Sequence, residues 1–189
     1  MSLAGSEPEG RPNRTCPPSA RDPARLRVLA GVHNGGVKVS AKADYAVRAA
    51  AELAAAQPSG ALVRAEKIAT AQGIPQRFLE NILSDLRHAG LVQSQRGAEG
   101  GHRLNRPAEE ISVADIIRAV DGPLAAVRGE RPESVSYDGP AEPLQRVWIA
   151  VRKNLRDVVE HVTLADLANG ALPAQVDALA EDADAWHTR

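Results

Sequence analysis

Residues 72–90 read QGIPQRFLENILSDLRHAG. The first three residues are typical of a tight turn, and Pro75 suits the first turn of a following helix. An apolar stripe then repeats at helical spacing until Gly90, a typical helix terminator. The stripe comprises Phe78, Leu79, Ile82, Leu83 and Leu86. We therefore predict an amphipathic helix that runs to about residue 89 and carries polar side chains on its other faces.

Two further helices are predicted upstream of this turn. Ser40 suits an N-cap, and the alanine-rich run after it keeps helical spacing until Pro58. A short helix over about residues 65–71 leads into the glycine turn. Two helices joined in this way form a helix-turn-helix, in which the second helix enters the major groove of DNA.

A β-hairpin is predicted directly downstream. Residues 91–96 and 102–104 have strand character and are separated by the glycine-rich loop 97–101. The predicted fold class is therefore mainly α, with a winged helix-turn-helix over residues 37–106. This segment carries ten Lys and Arg against six acidic residues. Such a basic balance suits a polyanionic partner, double-stranded DNA.

The polar face of the second helix supplies the candidate DNA contacts. We predict that Arg77, Glu80 and Asn81 read bases, because side chains near the start of such a helix reach base edges. Gln76 and Ser84 are expected to assist. Lys42 and Arg96 are predicted to contact the DNA backbone or the minor groove, where the negative potential favours cations. A protein-interaction module with the same small core stays open as the alternative.

The C-terminal half is predicted to contain a short helix, a long loop and a dimerisation helix; the effector role of the loop is what the family resemblance described below implies. Residues 107–141 contain a short predicted helix, about Val113 to Val120, and a long loop of the kind that is usually functional or mobile. Residues 142–168 are predicted as one helix with an apolar seam. The seam comprises Leu144, Trp148, Val151, Leu155, Val158 and Val162. One helix cannot bury this seam on itself, so we predict a homodimer. Residues 169–189 form an acidic tail.

The N-terminal segment differs from the rest in composition. Residues 1–36 contain five prolines and no sustained hydrophobic periodicity. They cannot bury enough apolar surface to offset the entropy lost on ordering. We expect this segment to be either a disordered extension or absent from the native protein.

Several classes of protein and site are excluded by composition. Cys16 is the only cysteine of the 189 residues. One chain therefore forms no disulfide and no cysteine-based metal site. No 18-residue apolar run and no secretory signal are present, so we expect a cytoplasmic protein without a membrane partner. The five histidines are scattered, and no nucleophile, base and orienting group occur together, so neither an enzyme nor a metal site is predicted.

A set of short motifs recurs in the order typical of one family. The motifs are VSAKADYA at 39–46, GIP at 73–75, FLENIL at 78–83, LRHAGLV at 86–92, RGAEGGHRL at 96–104, IIRAVDGP at 116–123 and VTLADL at 162–167. This set resembles the Rrf2 family of bacterial transcriptional regulators over about residues 37–168. The resemblance implies a repressor that binds a palindromic operator as a homodimer, with the C-terminal helix crossing to the other subunit. It also implies a small molecule or a protein as the effector.

The resemblance further suggests where this chain departs from cluster-binding members. In those members, three loop cysteines hold an iron–sulfur cluster. Here Gly129, a residue near Val135, and Glu142 stand at the approximate cysteine positions, and Gln145 stands where some members place a histidine ligand. We therefore predict no metal and no cofactor. As in some cluster-free relatives, docking of a metabolic enzyme is the alternative function.

Overall fold

The computed structural model describes residues 39–97 and 99–187. The helices are α1 (Ala41–Ala56), α2 (Ala65–Gln72), α3 (Gln76–His88), α4 (Val113–Asp121), α5 (Leu144–Val159), α6 (Leu164–Asn169) and α7 (Ala174–Glu181). The strands are β1 (Val92–Gln95) and β2 (Gly101–Leu104), which pair antiparallel. The expectation for residues 1–36 lies outside the described residues.

Helix α1 lies at the centre of the packing. The Ser40 hydroxyl caps its first turn by accepting a hydrogen bond from the Ala43 N–H at 2.9 Å. The inward face of α1 is alanine-rich, with four fully buried members: Ala43, Ala46, Ala49 and Ala50. Interaxial distance depends on the side chains at a helix contact, so a face this small lets neighbouring elements approach closely. The elements that contact α1 include α3, α4, α6 and β2.

Helix α3 turns one apolar stripe into the core, although the predicted stripe was wrong at one position. Leu79, Ile82, Leu83 and Leu86 are buried. Phe78 is instead 60% exposed. At 100° per residue it lies about 90° from the centre of the buried stripe. It also belongs to the first turn of α3, and the core does not cover its ring.

The predicted hairpin is present. Gly100 and Gly101 allow other parts of the backbone to come close to it. Val92 pairs with Leu104 and Gln95 with Gly101. A Cβ on Gly100 would lie 2.3 Å from the Gln95 carbonyl oxygen, so no other residue fits there without a shift. The backbone of His102 exchanges two hydrogen bonds with Val63, at 2.9 and 2.8 Å. This exchange attaches the wing to the segment that enters α2.

The loop that follows α4 packs along α5. Ser112 and Asp115 form a capping box that begins α4. Beyond α4, Val135 of the loop is buried, and its carbonyl oxygen accepts a hydrogen bond from the Gln145 side chain at 2.7 Å. Trp148 donates its indole N–H to the Tyr137 hydroxyl at 3.1 Å. The predicted long loop is therefore held against α5 by side chains of that helix.

The prediction of one helix over residues 142–168 was wrong. Helix α5 ends at Val159, and α6 begins only at Leu164, where Thr163 and Asp166 form a second capping box. Between them the chain pairs with the segment before α4. Val113 donates its N–H to the Val162 carbonyl at 2.8 Å. Val162 is consequently buried in its own chain and leaves the predicted dimerisation seam.

The acidic C-terminal segment carries the exposed helix α7 within residues 169–187. None of its residues is buried. Across residues 39–97 and 99–187, no helix combines the length and the apolar character that crossing a membrane requires.

Candidate nucleic-acid interface

Five predicted DNA contacts lie together on one side of α3, and we call this set the reading face. It comprises Gln76, Arg77, Glu80, Asn81 and Ser84. The first four are exposed and Ser84 is half-buried. The spacing from residue 76 to 80 and from 77 to 81 is one helical turn, opposite the buried stripe. The burial of the stripe therefore orients the polar side chains outward.

The ends of α3 favour a negatively charged ligand. No acidic residue lies in its first turn, whereas Arg87 and His88 lie in its last turn. A helix N-terminus carries partial positive charge from its free N–H groups, and these groups suit phosphate oxygens. On the reading face, Gln76 donates to Glu80 at 3.4 Å, which links the only carboxylate of that face to an amide.

Arg96 lies at the tip of the wing, and the wing follows α3 directly in the chain. Arg96 is exposed and follows the last residue of β1. The next residue, Gly97, has φ of +108°, a conformation that favours glycine. Arg96 is therefore exposed at the start of the loop that Gly97 helps to form.

Lys42 departs from the predicted arrangement. Its ammonium group lies 2.7 Å from the Asp85 carboxylate on α3 and donates to the Val120 carbonyl on α4 at 2.9 Å. A DNA phosphate would have to compete with both partners. In the structure Lys42 therefore joins three helices of its own chain.

Two further arginines are candidate DNA contacts that the sequence prediction left out. Arg87 lies seven residues after Glu80, which is two turns along the same side of α3. Arg103 is exposed on β2, and its guanidinium donates to the cross-strand Gln93 side chain at 3.2 and 3.3 Å. The helical repeat places Arg87 on the same side of α3 as Glu80, and the alternation of side chains along β2 applies to Arg103. These two patterns could have predicted both arginines as candidate contacts.

A cleft of about 210 Å³ separates α3 from the wing. Glu80, Ser84 and Arg87 of α3 line one side, and Ser94 and His102 of the wing line the other. The Nδ1 atom of His102 is buried and has no hydrogen-bond partner in the described part of the chain. Burial lowers the pKa of His102, and the nearby Arg87 lowers it further, while Glu66 acts in the opposite direction.

A second surface is formed by the apolar stripe of α5: Leu144, Trp148, Val151, Leu155 and Val158. These five residues of the predicted seam are only half-buried, and no residue of α5 is buried against the described part of the chain. Val147, next to the stripe, is 49% exposed. The helix thus keeps an apolar side that its own chain leaves partly uncovered.

The loop before α5 offers few soft ligands. Residues 122–143 contain no cysteine and no histidine. The amide group of Gln145 is used in hydrogen bonds to the Glu133 and Val135 carbonyl oxygens, at 3.2 and 2.7 Å. Within residues 39–97 and 99–187, no three His, Cys, Asp or Glu side chains are grouped as a metal site requires.

Comparison with known proteins supports the winged helix-turn-helix. A family model described as "Rrf2: Iron-dependent Transcriptional regulator" matches residues 39–170. The chain is 51% identical over 146 residues to Rv1287 of Mycobacterium tuberculosis (strain H37Rv), an HTH-type transcriptional regulator by name, covering 77% of this chain and 90% of that protein. It is 35% identical to the HTH-type transcriptional regulator CymR of Bacillus subtilis, over 70% of this chain and 91% of CymR.

Solved structures agree with these matches. The structure of CymR, the global cysteine regulator of B. subtilis, is similar with a TM-score of 0.60 and 34% identity, over 71% of this chain and 98% of that chain. The IscR of T. potens is similar with a TM-score of 0.56 and 33% identity, over 82% of this chain and 94% of that chain. The predicted fold class, mainly α with a two-stranded wing, is confirmed.

The environment of His102 should make the stability of the fold depend on pH. Its pKa is lower in the folded chain than the ordinary value of about 6.5, so the unfolded chain binds the proton more readily. Wild-type stability should therefore fall as the pH is lowered below about 6.5, relative to a His102→Gln variant. Urea unfolding of both proteins between pH values of about 7.5 and 5.5 measures this difference.

A matched control is His88→Gln, which replaces an exposed histidine on α3. It should retain the wild-type pH dependence, because it leaves the half-buried imidazole of His102 in place. Parallel pH profiles for wild type and His102→Gln would show that burial of His102 has no energetic consequence.

Proposed function

The chain belongs to the Rrf2 family of helix-turn-helix transcriptional regulators, and on this premise we propose that it is a sequence-specific repressor that binds a palindromic operator as a homodimer without an iron–sulfur cluster. Family membership makes it a transcriptional regulator rather than an enzyme. Rrf2 regulators bind DNA, typically as dimers. The observation that carries the proposal is the exposed reading face of α3 beside the arginine-tipped wing.

Base recognition is assigned to three residues of the reading face. The Arg77 guanidinium suits the two acceptors of guanine, and the Asn81 amide suits the donor and acceptor of adenine. The Glu80 carboxylate suits the amino group of cytosine. Gln76 and Ser84 support these contacts from positions one turn away. Arg96 contacts the backbone or the minor groove and carries no base preference of its own.

Substitutions of Arg77 and of Arg96 should distinguish base recognition from contact with the DNA backbone. Arg77→Ala should cost about 1 to 3 kcal/mol of binding free energy on the operator and relax base preference, because a base contact is lost. Arg96→Ala should weaken binding to every sequence and reduce the salt slope by about one, because one phosphate contact is lost. Fluorescence anisotropy with a duplex selected in vitro and with a scrambled duplex, over a range of salt concentrations, measures both effects.

The matched control is Arg146→Ala, an exposed arginine on α5 outside the interface. It should bind both duplexes as the wild type does. An unchanged nonspecific affinity and salt slope in Arg96→Ala would remove the wing from the interface.

Dimerisation is assigned to the apolar stripe of α5. A half-buried stripe on a 16-residue helix needs a second apolar surface, and a second copy supplies an identical one. A two-fold dimer presents two copies of α3 to half-sites about one helical turn of DNA apart. Such a dimer blocks any promoter that overlaps its operator, which is the basis for proposing repression. Since its ligand is chromosomal DNA, we expect the regulator to act in the cytoplasm.

Charged substitutions on one side of α5 test the dimer. Val147 and Val158 lie eleven residues apart and therefore on the same side of the helix. Val147→Glu combined with Val158→Glu should give monomers with much weaker operator binding, because burying carboxylates in an apolar interface is unfavourable. Sedimentation at micromolar concentration measures the assembly state, and circular dichroism checks that the helices persist.

The control for this experiment is Ile149→Glu. Ile149 is 37% exposed but lies about 160° around the helix from Val147 at 100° per residue. It should remain dimeric. A wild-type protein that sediments as a monomer at the same concentration would overturn the assignment of the stripe.

The family description names iron, but the residues of this chain do not fit a cluster. Iron–sulfur clusters are held mainly by thiolates, and Cys16 is the only cysteine of the sequence. Gln145 uses its amide group on backbone carbonyls of the loop. We therefore assign no metal-dependent step to this regulator.

Spectroscopy tests the cluster-free assignment. Protein purified without oxygen should show no absorbance band between about 320 and 450 nm, because the thiolates that produce such bands are missing. Its DNA affinity should also be unchanged by nitric oxide. Stoichiometric iron and sulfide in the preparation, retained by a Cys16→Ser variant, would contradict this assignment.

A further inference from the structure

A cleft of about 460 Å³ lies between the end of α4, the loop after it and α5. Four arginines line it, and we call it the arginine cleft: Arg118, Arg131, Arg152 and Arg156. Glu133 and the turn Gly122–Pro123–Leu124 complete the lining. The volume is in the range typical of sites for small molecules.

Three of the four arginines are positioned by helices. Arg118 lies in the last turn of α4. Arg152 and Arg156 are one turn apart on α5 and therefore share a side of that helix. Arg131 reaches the cleft from the loop. Leu124, which is 6% exposed, provides an apolar wall. Guanidinium groups held by rigid elements favour directional binding of an anion.

Two of the chain's own carboxylates already pair with arginines of the cleft. Glu133 pairs with Arg152. Glu160 pairs with Arg118 and also accepts a hydrogen bond from the Arg156 Nε at 2.9 Å. The Arg156 hydrogen bond is the main reason that the pKa of Glu160 is lowered, and Arg118 adds to the effect while partial burial opposes it. The position between the two helices thus stabilises negative charge.

The cations exceed these carboxylates. The cleft has four arginines, and their carboxylate partners Glu133 and Glu160 neutralise two of the four positive charges. Asp115, whose carboxylate lies 3.6 Å from Arg118, offsets one of the remaining two. Arg131 is exposed and forms no ion pair within the described ranges. Glu133 belongs to a loop and its side chain is 46% exposed. An ion pair with an exposed partner contributes little to stability, so an incoming anion can displace Glu133 from Arg152.

We propose that the arginine cleft is the effector site of the regulator, and that its ligand is a compact anion with at least two negative charges, a phosphate ester or a polycarboxylate. This inference rests on the proposed function, because an effector is meaningful only for a regulator. Planar guanidinium forks bind phosphate and carboxylate oxygens in pairs, so several of them together select ligands with multiple oxygens. A monovalent anion satisfies too few of these donors.

A continuous set of contacts joins this cleft to the reading face. Arg118 lies two residues before Val120, whose carbonyl oxygen is held by Lys42. Lys42 also pairs with Asp85 of α3. A ligand that pulls Arg118 toward α5 therefore acts on the end of α4 and, through Lys42, on the helix that carries the base contacts. Lys42 is a positioning residue in this route.

Direct binding to the full chain, without DNA, tests the site. Isothermal titration with pyrophosphate and, separately, with citrate at low ionic strength should give saturable binding of one anion per chain. The two probes separate phosphate from carboxylate chemistry. Arg152→Gln combined with Arg156→Gln should weaken binding roughly tenfold or more, because two charge-assisted contacts are lost. Arg131→Gln, which removes an exposed side chain without an ion pair, should weaken it while leaving the fold unchanged.

Arg146→Gln is the matched control, since it removes an exposed arginine of the same helix outside the cleft. It should bind as the wild type does. Absence of saturable binding of both probes by the wild type would overturn the site. Equal affinity in wild type, Arg131→Gln and the double variant would overturn it as well.

DNA affinity tests the effector role. At constant ionic strength, the bound probe should change the wild-type affinity for the selected duplex and leave that of the double variant unchanged. Lys42→Gln should bind the probe but lose this change. Bound probe with no change in DNA affinity would overturn the effector role, and a retained change in Lys42→Gln would overturn the route. If the protein binds the anion but no DNA, the cleft is still an anion site and the proposed DNA-binding function is wrong. Failure of the anion site and failure of the proposed function are therefore distinguishable.

Discussion

Close packing on the alanine face of α1 is the constraint on which the rest of the structure depends. Four fully buried alanines form this face, and α3, α4, α6 and β2 all contact α1. Because most of this face consists of alanine, with Leu53 the one long buried side chain, the neighbouring elements can approach the α1 backbone closely. The direction of the reading face follows from this packing, since the buried stripe of α3 leaves its polar side, together with Phe78, toward solvent.

Electrostatic contacts then connect regions that the core merely places side by side. Lys42 is the clearest example, because one ammonium group holds both the end of α4 and the Asp85 carboxylate of α3. At the other end of the same route, Glu160 lies between Arg118 of α4 and Arg156 of α5. Helix α4 therefore has a charged contact on each side, one toward α3, which carries the reading face, and one toward the proposed dimerisation helix.

The parts of the site that were predictable are those set by local periodicity. The reading face was predictable because residues one turn apart share a side of any helix. The wing was predictable because glycines separate two short strands, and the close approach at Gly100 explains why glycine is needed. Phe78 was misassigned because hydrophobicity alone does not reveal whether a neighbour covers a given side of the first turn. Its 60% exposure is a property of the packing.

By itself the sequence determined the Ser40 cap of α1, the turn before α3, the amphipathic stripe and the absence of thiolates in the loop, since each depends on residues near one another in the chain or on composition. Only the tertiary structure decided the partner of Lys42, which is 78 residues distant at Val120, and the grouping of four arginines from α4, the loop and α5. It also ended α5 at Val159, because backbone bonds between the segments before α4 and α6 bury Val162 in its own chain. The apolar spacing of the seam continues to Val162 and therefore favoured one helix. The Thr163–Asp166 capping box and the distant backbone partners end it, and those partners become adjacent only when the chain is folded.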